Sequence, residues 1–334
     1  MSESRTILCD TADDVFAKVG AADFAESWPL IAKAGFSTLL IDEADGGFGG
    51  DWGDYFAIMH RAGGHALALP VGEDMLATYL INAAGLSVPE GVLSVSRTAQ
   101  GTISGDRFTG TMQQVPWGRN VDHVIGVLDG RLIVANARNA ALVAASSPAG
   151  DPVDTLIFQD CVVSHAATTN DVHLFGAIMR VAQIAGALDH ILRLSIDHAN
   201  NRVQFGRPLA KFQAVQQNLA LLAVESGAVY CAGQAAADAL CVDCRQDQAV
   251  FEISSAKLRA NIAVGVGTSI AHQVHGAIGF TQDFSLHRYT RRLIGWRSDY
   301  GNDRYWSERL GKMTAGFGGA GLWDEMTYRS DQRS

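Results

Sequence analysis

The chain lacks most of what a secreted, metal-built or nucleic-acid-binding protein needs. Five cysteines in 334 residues are an odd, widely spaced set, which argues for reduced thiols rather than a disulfide framework. Cys241 and Cys244 form a lone C-x-x-C with no second ligand pair nearby, so the reading is two incidental thiols near a helix end. No H-E-x-x-H run is present, and no metal site is expected. Charged residues are only 18%, the net charge is -9 and no basic patch stands out, which excludes nucleic acid as an expected partner. No uninterrupted apolar run reaches the ~18 residues of a membrane helix, so no membrane insertion is expected. The start, Met1-Ser2-Glu3-Ser4-Arg5, is polar and lacks the apolar core of a signal peptide, so a cytoplasmic location is expected. Neither a G-x-S-x-G elbow nor a Walker motif occurs.

What is present is 48% hydrophobic residues in a pattern that changes twice along the chain. Residues 10–88 read as helical, with Met75, Leu76, Tyr79, Leu80 and Ala83 at near-helical spacing. From about 89 to 165 short alternating runs take over. Asp129-Gly130 between Val124–Leu128 and Arg131–Val134 is a strong hairpin signal. Helical spacing then returns, with Ile184, Leu188, Leu192 and Ile196 on one stripe and Val250, Ser254, Leu258, Ile262, Val266 and Ile270 on another. The first of these helices should break at Gly206-Arg207-Pro208. Further helices are expected over 284–297 and 303–313, with a loose tail from Thr314 held by aromatic anchors. Ala, Gly and Ser crowd the helices, which permits close helix packing. The expected fold class is α+β, mostly α: an N-terminal helical domain (1–88), a small antiparallel β domain (89–165) and a C-terminal helical bundle (166–334).

Two stretches carry more information. One is Arg202-Val203-Gln204-Phe205-Gly206-Arg207-Pro208-Leu209-Ala210-Lys211-Phe212-Gln213; the other is Gln273-Val274-His275-Gly276-Ala277-Ile278-Gly279-Phe280-Thr281. By residue type alone the first could be an ordinary helix corner with a solvent-facing Arg. In this order, between long helical patterns, the two resemble the C-terminal domain of the acyl-CoA dehydrogenase family. That resemblance implies FAD as cofactor and oxidation of the α,β carbon–carbon bond of an acyl-CoA thioester. Arg202 offers a planar cationic fork for a pyrophosphate. Gln204, Gln213 and Gln273 offer amide hydrogen bonds, and Phe205 and Phe212 flat apolar surface. The resemblance adds Leu209 to the cofactor-binding set. Gly276 would let backbone approach a ligand closely. Ala277 replaces a glycine common in the family, and His275 reads as structural or at the ligand's edge. In the family these stretches act in trans, reaching FAD held mainly by a neighbouring subunit.

The groups that act in cis are missing. The family's sheet domain carries a Thr-Glu-Pro segment followed by Gly-Ser-Asp at the flavin ring; residues 89–122 contain neither. The usual catalytic glutamate position, just before Gly301, holds Tyr300, with Asp299 one residue away. The alternative family position reads Gly176-Ala177. Asp299 is thus the one candidate base in this chain, and a neutral tyrosine, with a reference pKa of about 10, is a poor one. The glycine-rich run Asp45-Gly46-Gly47-Phe48-Gly49-Gly50-Asp51 is flanked by acids that repel phosphate and reads as a structural turn.

The expected function is therefore an FAD-dependent acyl-CoA dehydrogenase, as a subunit that completes the FAD site of a catalytic partner and resembles short subunits of bacterial heteromeric enzymes of this family. The implied partners are an acyl-CoA substrate, another acyl-CoA dehydrogenase chain in a homo- or hetero-oligomer, and an electron-transfer flavoprotein as acceptor. Two alternatives stay open: an autonomous homomeric dehydrogenase using Asp299, and a non-enzymatic scaffold of the same fold.

Overall fold

A computed structural model describes residues 3–19, 23–241 and 246–331. The N-terminal part is four helices: α1 (Glu3–Val19), α2 (Phe24–Ala34), α3 (Trp52–Gly64) and α4 (Val71–Ala83). Local chemistry sets their ends. Asp23 caps α2 through Glu26 N, and Gly35, at φ 74°, stops it in the left-handed region. Asp51 and Asp54 form a capping box on α3, and Arg5 of α1 pairs with both, at 2.8 and 2.6 Å. Asp51 at the end of the glycine-rich run, with Asp54, is thus used in helix capping and an α1–α3 tie. Within that run Gly47 lies against the carbonyl of Ile41, where a Cβ would come within 2.1 Å of the oxygen.

The β domain contains β1 (Leu93–Val95), β2 (Thr98–Ser104), β3 (Arg107–Pro116), β4 (His123–Leu128), β5 (Arg131–Asn136), β6 (Ala141–Val143) and β7 (Val153–Ala167), ordered β1-β4-β5-β7-β3-β2 with β6 also on β7. Asp129 and Gly130, at φ 49° and 72°, make the expected hairpin turn between β4 and β5. The sheet departs from the antiparallel expectation in one place. β1 pairs parallel with β4, because the β2–β3 hairpin intervenes between them.

The C-terminal part is α5 (Val172–Asn201), the two-residue strands β8 (Val203–Gln204) and β9 (Arg207–Pro208), α6 (Gln213–Cys241), α7 (Gln246–His275), α8 (Leu286–Ser298) and α9 (Asp303–Asp331). Two expectations are corrected here. Helix α5 ends at Asn201, ahead of the Gly206-Arg207-Pro208 breaker, because Arg202 already turns into a tight hairpin. The region from Thr314 is not a loose tail: α9 runs on through a kink at Gly318, and its Trp323 and Tyr328 are exposed rather than anchoring. Among the described residues two helices, α5 and α6, are long and apolar enough to cross a membrane by length and composition; 89% of the α5 window is buried in the bundle, against 28% for α6. Cys244 of the C-x-x-C lies outside the described residues, and Cys241 is exposed.

One hydrophobic core runs through both helical parts, and a second lies inside the sheet. The helical parts fuse because α3 and α5 cross at glycines. A Cβ on Gly63 would come within 2.0 Å of Gln183 O, and one on Gly186 within 1.8 Å of His60 O. Trp52 of α3 stacks on Phe175 of α5, with centroids 4.9 Å apart. This contact fixes the start of α5 against the N-terminal helices and so shapes the cleft described next.

Candidate active site and cofactor-contacting surface

The cleft where the helical parts meet the sheet gathers charges from distant parts of the chain. Glu73 comes from α4, Arg97 from the β1–β2 link, Arg180 from α5, and Asp299 and Tyr300 from the turn after α8. Arg180 Nη2 pairs with Glu73 Oε1 at 2.7 Å and its Nε with Asp299 Oδ2 at 2.9 Å. Its Nη1 donates to Gln183 Oε1 at 2.5 Å. The other carboxylate oxygen of Asp299, Oδ1, lies 2.5 Å from Arg97 Nη1. Burial works against the Arg180 charge, but Glu73 and Asp299 outweigh it and raise its pKa. Both oxygens of Asp299 are thus held by guanidinium groups.

Tyr300 sits beside this chain of ion pairs, only 2% exposed, with a backbone φ of 53°. Arg97 and Arg180 lie over its ring, 5.1 and 5.9 Å from the centroid. Burial, partly offset by Arg97, pushes its phenol up to about 12. The free volume among these side chains is about 40 Å3. That holds roughly one or two waters, against the ~300–1,000 Å3 of a small-molecule site.

The residues expected to contact cofactor lie elsewhere. Phe205 and Gly206, at φ 52° and 79°, turn the β8–β9 hairpin, and Phe205 projects from its tip, 92% exposed. Arg202, Gln204 and Gln213 are exposed; Leu209 and Phe212 are half-buried beneath them. Arg207 covers the Phe212 ring at 4.1 Å. Gln273, in the last turn of α7, faces solvent, and Gly276, at φ 63°, opens the following exposed turn. A stack of His198 on His275, 4.6 Å between centroids, joins the ends of α5 and α7. The two stretches therefore share one end of the bundle. His272 and His275, spaced as H-x-x-H, are engaged in the fold: His272 with Thr290 Oγ1, and His275 through Nδ1–H to Ala271 O. Among the described residues no group of His, Cys, Asp or Glu is placed to hold a metal.

Cleft and surface are far apart. Gly176, against the Tyr300 ring, and Asn201, beside Arg202, are on the same helix, which rises by roughly 38 Å between them at 1.5 Å per residue.

With this geometry in hand, comparison with known proteins is informative. The family model "Acyl-CoA dehydrogenase, C-terminal domain" matches residues 172–298. The chain is 27% identical over 270 residues to acyl-CoA dehydrogenase IpdE2 of Mycobacterium tuberculosis, covering 80% of each. Over residues 172–298 the chain carries an acyl-CoA dehydrogenase C-terminal domain, and it is similar to acyl-CoA dehydrogenases over most of its length. Its fold superposes on the ChsE4-ChsE5 complex of Mycobacterium tuberculosis with a TM-score of 0.81, at 21% identity over 94% of this chain and 98% of that one. A variant of the Tcur3481-Tcur3483 steroid ACAD gives 0.84, at 22% identity and the same coverage.

Within the acyl-CoA dehydrogenase fold, Glu73, Arg97 and Arg180 are the cleft residues that motif reading missed. Their signal was present. Glu73 stands in Leu69–Leu76 and Arg180 in Leu174–Val181, both otherwise largely apolar. A charge inside an apolar helical run must find a partner across the fold.

Proposed function

We propose that this chain is an FAD-dependent acyl-CoA dehydrogenase subunit that completes the flavin site of a neighbouring chain of the same fold. The length of α5 carries this reading: the cofactor-contacting hairpin sits at the far end of that helix from the chain's own cleft, so it serves a different cleft. The exposed surface fits one edge of FAD. Arg202 suits a pyrophosphate, Gln204, Gln213 and Gln273 suit polar edges, and Phe205 offers a flat face. When bound, the flavin supplies the hydride-accepting chemistry of α,β-oxidation. This chain's residues contribute binding and orientation. The carboxylates at its own cleft, Glu73 and Asp299, are held by arginines, so the proton-abstracting base is assigned to the partner.

The partner surface is supported by α6. Its only charged residues are Glu225 and Asp238, and Glu225 is paired with Arg259 of α7. Leu221 and Val224 on α6 and Ile262 and Val266 on α7 are 49, 65, 44 and 37% exposed. An apolar face of this extent marks an association surface. The named relatives include a two-protein complex and a steroid ACAD, so the substrate class proposed is a bulky, steroid-type acyl-CoA. An electron-transfer flavoprotein is the proposed acceptor and the cytoplasm the proposed location.

The test is flavin stoichiometry and mass in solution, for the chain alone and co-expressed with a full-length acyl-CoA dehydrogenase chain. Alone, little flavin and little dehydrogenase activity are expected; with the partner, one FAD per heterodimer. A homo-oligomer carrying one FAD per chain and oxidising acyl-CoA would overturn the subunit reading in favour of an autonomous enzyme. The tightly filled cleft also favours a scaffold reading, which association without any bound flavin would establish.

A further inference from the structure

We infer that the charges in this chain's own cleft form a fastening that joins all three domains and holds the cleft shut. The inference rests on the cleft geometry alone and does not depend on the subunit reading above. The four groups alternate in sign and cross a domain boundary at each end. Glu73 of the N-terminal helices meets Arg180 of the bundle at 2.7 Å, Arg180 meets Asp299 at 2.9 Å, and Asp299 meets Arg97 of the sheet domain at 2.5 Å. Their side chains are between 3 and 13% exposed. Surface pairs of this kind contribute little, but a buried alternating set behaves differently, because removing one member leaves its neighbour charged, buried and unpaired.

A second tie closes the cleft from outside. The segment between β6 and β7 runs over α8, where Asp151 pairs with Arg292 at 2.8 Å and Arg291 Nε donates to Pro148 O at 2.7 Å. Pro148 lies on Gly295, at a point where a Cβ would be 3.3 Å from its ring. Ser147, Ala149, Asp151 and Pro152 of this strap line the same 40 Å3 space as the four charges. Both ties join the sheet domain to the bundle. The charged groups of the cleft are turned toward one another.

Hydrogen–deuterium exchange on the purified chain tests this, with Asp299→Asn as the variant. In the fastened state the amides of β1 and the β1–β2 link should exchange at least ten-fold faster in the variant, while the α3–α5 crossing keeps its protection. If Asp299→Asn is too unstable to purify, Arg97→Gln at the sheet end carries the same expectation. A cycle of Glu73→Gln and Arg97→Gln adds a second reading. These two residues do not pair with each other, so strictly additive shifts in the denaturant midpoint would mark separate local pairs, and non-additive shifts a connected fastening. Unchanged exchange at β1 with additive shifts would overturn the inference. Flavin stoichiometry with a partner chain does not enter this result, so failure of the subunit reading would show up separately.

Discussion

The ring of Tyr300 occupies the space a side chain on Gly176 would need: a Cβ at 176 would come within 2.3 Å of Tyr300 Cδ1 and Cε1. The resemblance to the family implies these as the two positions at which a catalytic carboxylate is placed. Here they are two sides of one contact, between the first turns of α5 and the turn after α8. The tyrosine at one position and the glycine at the other are a single packing solution. A side chain cannot be placed at 176 without displacing the Tyr300 ring.

Gly176→Ala should therefore destabilise the chain by about 1–3 kcal/mol, the range for overpacking a filled core. The neighbour it meets is a ring held at a positive φ and wedged between two arginines, so relaxation is limited. Urea midpoints compared with wild type measure this. No loss of stability would mean the ring moves aside freely.

Tyr300→Phe should leave stability unchanged or raise it. The Tyr300 hydroxyl is buried with no hydrogen-bond partner among the described residues. A buried unpaired hydroxyl costs roughly 1–3 kcal/mol, which deleting it recovers. Dehydrogenase activity of the assembled enzyme should also be unaffected. A large drop in turnover would give the hydroxyl a chemical role that its surroundings argue against.

The parts of the fold legible in the sequence were those set by local chemistry. Asp129-Gly130 demanded a hairpin because both residues adopt positive φ readily, and it formed. The residues four apart over Val250–Ile270 marked a helix, and α7 formed there, but an α-helix turns at 3.6 residues and each step of four advances the position by about 40°. The stripe accordingly drifts around the helix, from buried Ser254 to exposed Ile262 and Val266, and Ile270 is buried on a different face. The exposed hairpin was legible as a motif, but its end-of-bundle placement was not, since that follows from the length of α5. The cleft was hidden because its ties span the chain: Arg180 lies 107 positions from Glu73 and 119 from Asp299.

Arg202→Ala should lower flavin retention in the assembled enzyme by about 1.5–3 kcal/mol of binding free energy, the range for a charge-assisted hydrogen bond. The side chain is exposed, so the melting temperature of the chain alone should stay within about a degree of wild type, as for surface substitutions generally. Flavin content after gel filtration, read beside melting curves, separates the two effects. Unchanged flavin would remove Arg202 from the site.

Lys257 gives the last expectation, a pH dependence. Its ammonium is fully buried beneath the turn that carries Asp299 and Tyr300. It donates to Asn261 Oδ1 at 2.6 Å and to the carbonyls of Trp296, Arg297 and Gly301 at 3.2, 3.1 and 3.4 Å. Burial pushes its pKa down from 10.5 to about 7, with Asp299 and Asp303 pulling it up and Arg180 and Arg97 pushing it down. Because the folded value lies below the unfolded one, the unfolded chain binds more protons between about pH 7 and 10.5. Stability from this group is lowest below pH 7, where the buried amine is charged, and rises across that window. Lys257→Met abolishes the titration, though it also removes the hydrogen bonds and lowers stability at every pH. The slope of the difference is the informative quantity. Wild type minus Lys257→Met, from urea unfolding between pH 6.5 and 9, should rise by on the order of 1 kcal/mol per pH unit above neutrality. A flat difference would place the amine at its ordinary pKa and show that the carbonyl cage stabilises its charge enough to cancel the cost of burial.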